Sequence, residues 1–160
     1  MQTEGDSIQI VRYNPEYKQA FRDLNVEWIS KFFVMEEPDF KALDYPQEYI
    51  LDKGGLILVA LYNKEPVGVC ALIKMKDPNY DFEMAKMAVS PKAQGKKIGL
   101  LLGQSILAEA KKIGAKKLYL ESNRILIPAI NLYLKLGFTE VTNRVSPYQR
   151  ADILMEMNLT

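Results

Sequence analysis

Phe82 to Leu102 reads FEMAKMAVSPKAQGKKIGLLL, and this stretch decides the fold. Phe82 to Val89 has strand character, and a short loop carries Gln94-Gly95-Lys96-Lys97-Ile98-Gly99. A helix begins at once. Leu101, Leu102, Ile106, Ala110 and Ile113 fall on one side of a helix over Ile98 to Ile113, and Gly114 closes it as a C-cap. Lys117 to Glu121 (KLYLE) then reads as a strand. Strand, glycine-containing turn, helix and strand over 82–121 make a β-α-β crossover, so this part of the sheet is expected to be parallel.

Upstream, Ser7 to Tyr13 alternates apolar and polar residues as a half-buried strand does. Pro15 opens a helix with Ala20, Phe21, Leu24, Trp28, Ile29 and Phe32 on one apolar face. Val34 to Lys53 reads as irregular, broken by Pro38 and Pro46, with a short helix over Pro46 to Leu51. Leu56 to Tyr62 and Val67 to Met75 are strands joined by a turn at Asn63 to Pro66, and with 81–89 they form an antiparallel meander. Downstream, Pro128 to Leu136 is a short helix capped by Gly137, and Phe138 to Thr142 and Ile153 to Leu159 are closing strands. No repeat or linker divides the chain, so 1–160 is expected to be a single α+β domain with a mixed sheet.

Composition narrows the chemistry. The 160 residues carry 21 Lys plus Arg and 20 Asp plus Glu, a net charge of +1 that argues against a nucleic-acid coat or an anionic membrane surface. No apolar run approaches the roughly 20 residues that span a bilayer. Met1 to Ser7 is polar with no signal-like apolar core, so a cytoplasmic home is expected. With no histidine there is no imidazole base and no His-ligated metal, and a single Cys70 supports neither a disulfide nor a thiolate cluster. Cys70 lies in the apolar run Val67 to Ile73, where buried packing is expected. Acid–base work therefore falls to Glu, Asp, Tyr, Lys or water, and no metal is expected.

Free N–H groups at a helix N-terminus bind anions, and glycines let a phosphate approach the backbone. Gln94 to Gly99, with Lys96 and Lys97, suits a pyrophosphate on these grounds, although a solvated basic loop has the same composition. Gly99 is followed by leucines, which excludes a P-loop, and Lys96-Lys97 do not supply a dinucleotide fingerprint.

The same residues resemble the acyl-CoA signature of the GNAT superfamily of N-acyltransferases, [QR]-x-x-G-x-[GA]. Gln94, Gly95 and Gly99 fit it, and Lys97 stands where a middle glycine is usual. A lysine is tolerable at position 97 if that residue has ordinary helical dihedrals. Ala129-x-x-Leu132-Tyr133-x-Lys135-Leu136-Gly137-Phe138 is similar to the family's A-x-x-L-Y-x-K-L-G-F helix and strand, and the order of elements is also the family's.

The resemblance implies a GNAT-like fold, a mixed central sheet splayed between its fourth and fifth strands and flanked by helices. It implies an N-acetyltransferase that moves an acetyl group from acetyl-CoA to a primary amine, by direct attack in a ternary complex. The backbone of Met87, Ala88 and Val89 would pair with the pantetheine arm. Gln94, Gly95, Lys96, Lys97, Ile98 and Gly99 would hold the pyrophosphate, and Asn123 and Lys135 would add coenzyme contacts. Tyr133 would lie near the sulfur as the acid. The backbone N–H of Met87 would serve the oxyanion.

Glu83 is the candidate base, four residues ahead of Met87, where some family members place a catalytic glutamate. Beside Phe82 and Met84 its pKa would be raised by desolvation; a surface glutamate paired with Lys86 is the other reading. Glu36, Glu37 and Asp39 would form an acidic rim for a cationic amine or a solvated acidic loop, and Ser146 to Asp152 would line the acceptor site, a plain surface or a dimer contact. The acceptor, a small molecule or a peptide, is left open. An exposed edge in the last strands would permit a homodimer. The other function class is an acyl-CoA sensor without turnover.

Overall fold

The computed structural model describes residues 7–146 and 148–160; the expectations for Met1 to Asp6, and for Pro147 within the 146–152 tail, lie outside them. Strands β1 (Ile8–Arg12), β2 (Leu56–Tyr62), β3 (Glu65–Lys74), β4 (Phe82–Val89), β5 (Lys117–Ser122), β6 (Thr139–Val141) and β7 (Ile153–Asn158) form one sheet in the order β1-β2-β3-β4-β5-β7-β6. Neighbours are antiparallel except β4 and β5, which run parallel as the crossover through α3 (Ile98–Lys112) requires.

Both faces of the sheet are covered, which explains why β2 is apolar at nearly every position rather than alternating. Leu56, Leu58 and Ala60 pack with Cys70, Leu72, Met84, Ile98, Leu102, Ile106 and Phe138 on the side of α3. On the opposite side Ile57, Val59 and Leu61 meet Phe21 and Ile29 of α1 (Lys18–Phe32) and Leu43 of α2 (Glu37–Asp44). Cys70 is buried in the first cluster. No described helix is long and apolar enough to cross a membrane.

The segment after α1 is more regular than its prolines suggest. Pro38 sits in the first turn of α2, where its missing N–H costs nothing, so it starts a helix instead of breaking one. The short helix near Pro46 is a π-helical turn over Gln47–Leu51. On the far side, α4 (Ile127–Leu136) packs against α3 so closely that a Cβ on Gly103 would lie 2.5 Å from Leu136 Cδ1.

Candidate active site

A bulge opens the sheet. Ala71 pairs with Ala85 and Val69 with Ala88, so Lys86 and Met87 together oppose the single residue Cys70. Lys86 takes a left-handed φ of 56° to make that extra step. Bulges bend the strand that carries them. Accordingly β4 pairs with β5 only at Phe82–Leu118 and Glu83–Tyr119, and the two strands then diverge.

The gap is filled from two sides. On one side a cavity of about 260 Å³ is lined by Met87, Ala88, Val89, Gln94, Gly95, Lys97, Ile98 and Gly99, and by Ala129, Leu132 and Tyr133 of α4. Gly95, Lys96 and Lys97 donate no backbone hydrogen bond among the described residues, and no side chain caps α3. These N–H groups and the positive end of the helix are free for an anion. A Cβ on Gly95 would meet nothing within 4 Å; its φ of 83° is what requires glycine there. The residues present therefore fit a pyrophosphate.

Position 97 corrects an expectation. Lys97 has φ 59° and ψ 29°, the left-handed conformation that a glycine would adopt freely. The loop thus keeps the glycine backbone at a position occupied by lysine. Lys96 does not line this cavity; its ammonium lies 4.7 Å from the centre of the Tyr62 ring. Lys135 is exposed and lines none of the three cavities around the gap.

On the other side of the gap lies a cavity of about 120 Å³, lined by Trp28, Ile29, Phe33, Ile73, Glu83 and Glu121 among others. Glu83 makes no hydrogen bond or ion pair among the described residues. Burial, then the charge of Glu121, push its carboxyl up to about 7, against the opposing pull of Lys86. Glu121 is held in place by the Tyr119 hydroxyl at 2.7 Å and the Ser146 hydroxyl at 2.6 Å. Trp28, Met87 and Tyr133 line both cavities and so mark where the two meet. Burial raises the Tyr133 hydroxyl well above its ordinary range, so it keeps its proton.

Lys86 is not the partner of Glu83. Its ammonium lies 2.7 Å from Asp39 Oδ1 and 3.2 Å from the Tyr148 hydroxyl. Arg150 grips the same Asp39 with both terminal nitrogens, each at 2.7 Å, and approaches Glu36 at 3.4 Å. Asp39 is fully buried; burial alone would raise its pKa, but Arg150 and Lys86 outweigh that and hold it down to about 2. Of the acidic segment, Asp39 and Glu36 are therefore turned into ion pairs, while Glu37 stays exposed.

The approach to β7 forms a strap across the cavity. Arg144 reaches Asp77 at 2.7 Å, Ser146 reaches Glu121, Tyr148 reaches Lys86 and Arg150 reaches Asp39, while Val145 between them is 93% exposed. Asn123 donates to the Arg150 carbonyl and accepts from Ile125 N–H, so its side chain ties the strap to β5 and lines the Glu83 cavity, not the phosphate-side cavity. Glu121 and Trp28 were not singled out from the sequence as site residues, Lys86 was considered only as a partner of Glu83, and Arg150 only as part of the 146–152 tail. The available signal was weak: Glu121 lies two residues from Tyr119 and so shares its face of β5.

A model of the acetyltransferase (GNAT) family matches residues 18–138. An uncharacterized N-acetyltransferase of Schizosaccharomyces pombe is 36% identical over 141 residues, 86% of this chain and 85% of that protein. An acetyltransferase of the GNAT family from Staphylococcus aureus has a similar structure, with a TM-score of 0.85 at 23% identity over 96% of this chain and 100% of that one. A Salmonella typhimurium protein solved with its cofactor acetyl-CoA gives a TM-score of 0.77 at 19% identity, over 96% and 95% of the two chains. With a family model over most of its length and a relative at that identity, the chain belongs to the acetyltransferase (GNAT) family.

Proposed function

We propose that this chain transfers the acetyl group of acetyl-CoA to a primary amine held beside Glu83, by direct attack within a ternary complex. The observation that carries the reading is that two cavities, one at the free N-terminus of α3 and one at Glu83, share Trp28, Met87 and Tyr133 as their common wall. The acyl-CoA-bound relative of similar fold supports the choice of donor. The seven strands share one sheet, which supports reading the chain as a single domain.

Acetyl-CoA supplies the thioester, and the residues do the rest. Backbone N–H groups of Gly95 to Gly99 and the Lys97 charge hold the pyrophosphate, and Met87 to Val89 offer an unpaired strand edge to the pantetheine arm. An alkyl ammonium has a pKa of about 10, so it must lose a proton before attack, and Glu83 takes it. The carbonyl oxygen gains charge as the C–N bond forms and accepts from the Met87 N–H. The C–S bond then breaks, Tyr133 gives a proton to the departing sulfur, and the second proton shed by the nitrogen as the amide forms restores the tyrosine.

Calorimetric titration with acetyl-CoA, beside ATP and NAD, tests the donor, and thiol release in the presence of amines tests turnover. Selective acetyl-CoA binding with thiol release is expected. Selective binding without release for any amine would mean an acyl-CoA sensor instead, and no binding by folded protein would remove the donor altogether.

A further inference from the structure

Four charged groups meet at Asp39, and they are sorted by depth. The cations Lys86 and Arg150 line the Glu83 cavity, whereas the carboxylates of Asp39 and Glu36 lie behind them and do not. The wall therefore presents positive charge to the cavity and keeps its neutralising charge out of reach. Both cations retain donor capacity. Lys86 spends two of its three N–H bonds, on Asp39 and Tyr148. Arg150 commits only its terminal nitrogens, so its Nε–H is free among the described residues. The Tyr148 ring packs against both, with Arg150 4.4 Å and Lys86 5.3 Å from its centre, which fixes where they point.

The opposite charge faces the same space. Glu83 lies three positions before Lys86 on β4, and Glu121 stands on β5. Trp28, Ile29 and Phe33 of the α1 region add an apolar part to the lining. A small cavity lined by two carboxylates, by two cations held in place by Asp39 and Tyr148, and by apolar side chains suits a zwitterion. A polyamine would set its second ammonium against Lys86 and Arg150. A peptide N-terminus would bring a neutral amide there.

We infer that the acceptor is a free amino acid with an apolar side chain, its ammonium between Glu83 and Glu121 and its carboxylate on Lys86 and Arg150. This rests on the reading of the Glu83 cavity as the acceptor site. The transfer forms the amide C–N bond and breaks the thioester C–S bond; of the two protons the ammonium loses, one passes through Glu83 to solvent and the other makes good the proton that Tyr133 gives the departing thiol.

The test compares leucine, methionine and phenylalanine, each beside its amide and its decarboxylated amine, as acceptors in a thiol-release assay with acetyl-CoA. The amide keeps the shape and removes the charge. Each amino acid is expected to exceed its two partners in kcat/KM by about tenfold or more, the usual worth of charge-assisted hydrogen bonds. In Arg150→Gln and Lys86→Met that preference should fall toward unity, with acetyl-CoA affinity and the far-UV spectrum establishing that the variants are folded. Should either variant fail to fold, the ranking of the nine acceptors by the unaltered protein decides the matter alone. Amides or amines that match or outrun the amino acids overturn the inference and leave the acetyltransferase reading standing. Acetyl-CoA binding with no turnover of any acceptor overturns both.

Discussion

Glu83 and Glu121 stand on the two strands that separate and line the same cavity, and neither carboxylate forms an ion pair among the described residues. Glu121 has its charge satisfied by two hydroxyl donors, whereas Glu83 has none, so the cost of keeping both ionised falls on Glu83. That asymmetry separates their roles. In the proposed reaction the supported carboxylate would hold the ammonium and the unsupported one would accept its proton.

A base must be deprotonated to work, so kcat/KM should rise with pH through about 7, the position to which burial and Glu121 push Glu83. Glu121→Gln removes the second cause, and the acid limb should then move to lower pH. A pH–rate profile of the two proteins checks this. An unmoved limb would mean that another group governs the rate.

Glu83→Gln keeps the shape and abolishes the base. Turnover should fall by roughly 10²- to 10⁴-fold, the usual contribution of a positioned base, while acetyl-CoA binds as before. Rate and calorimetric affinity measured on one preparation separate the two effects. A variant that loses both would place Glu83 in the architecture instead.

Asp39 anchors two cations in the interior, and Asp39→Asn would leave them short of a counter-charge. Such losses cost about 3–5 kcal/mol, readable as a lower midpoint in urea denaturation. The pH dependence has a definite sign. The folded pKa of Asp39 is depressed to about 2 from 3.8, so its contribution is present above 3.8 and lost as pH falls toward 2. Glu83 acts oppositely: its folded pKa lies above its unfolded value of 4.5, so stability declines as pH rises from there to about 7. Melting temperatures across pH 2 to 8 would reveal both slopes.

Lys97→Gly should stabilise the protein by about 1 kcal/mol, since a left-handed residue carries a penalty of that order that glycine escapes. Gly95→Ala should destabilise by about 1–2 kcal/mol through its φ alone, as space for the methyl is available. Thermal melts of the two variants should shift in opposite directions. Both in the same direction would contradict the assigned backbone.

The strands, the crossover helix and the parallel β4–β5 pair were legible in the residues because each rests on a local pattern. Alternation of apolar residues marks a strand, a stripe at helical spacing marks α3, and Gly114 and Gly137 mark the ends of helices. Met87, Gly95, Gly99 and Tyr133 could be singled out because motif spacing and the resemblance it carried bear on them directly. Pro38 was misread since proline both breaks and begins helices, and only the following turn distinguishes the cases. Lys97 was misread since a side chain does not reveal its own backbone dihedrals.

The acceptor side depended on contacts between segments far apart in the chain. Arg150 and Asp39 are 111 residues apart, Ser146 and Glu121 are 25 apart, and Lys86 and Asp39 are 47 apart. Nothing near any of these residues specifies its partner. Local periodicity and turn chemistry suffice to choose elements and their order, because those depend on neighbours within a few positions. Which carboxylate is neutralised and which left bare depends instead on burial and on charges arriving from other elements, and both exist only once the sheet has opened and the strap has closed over it.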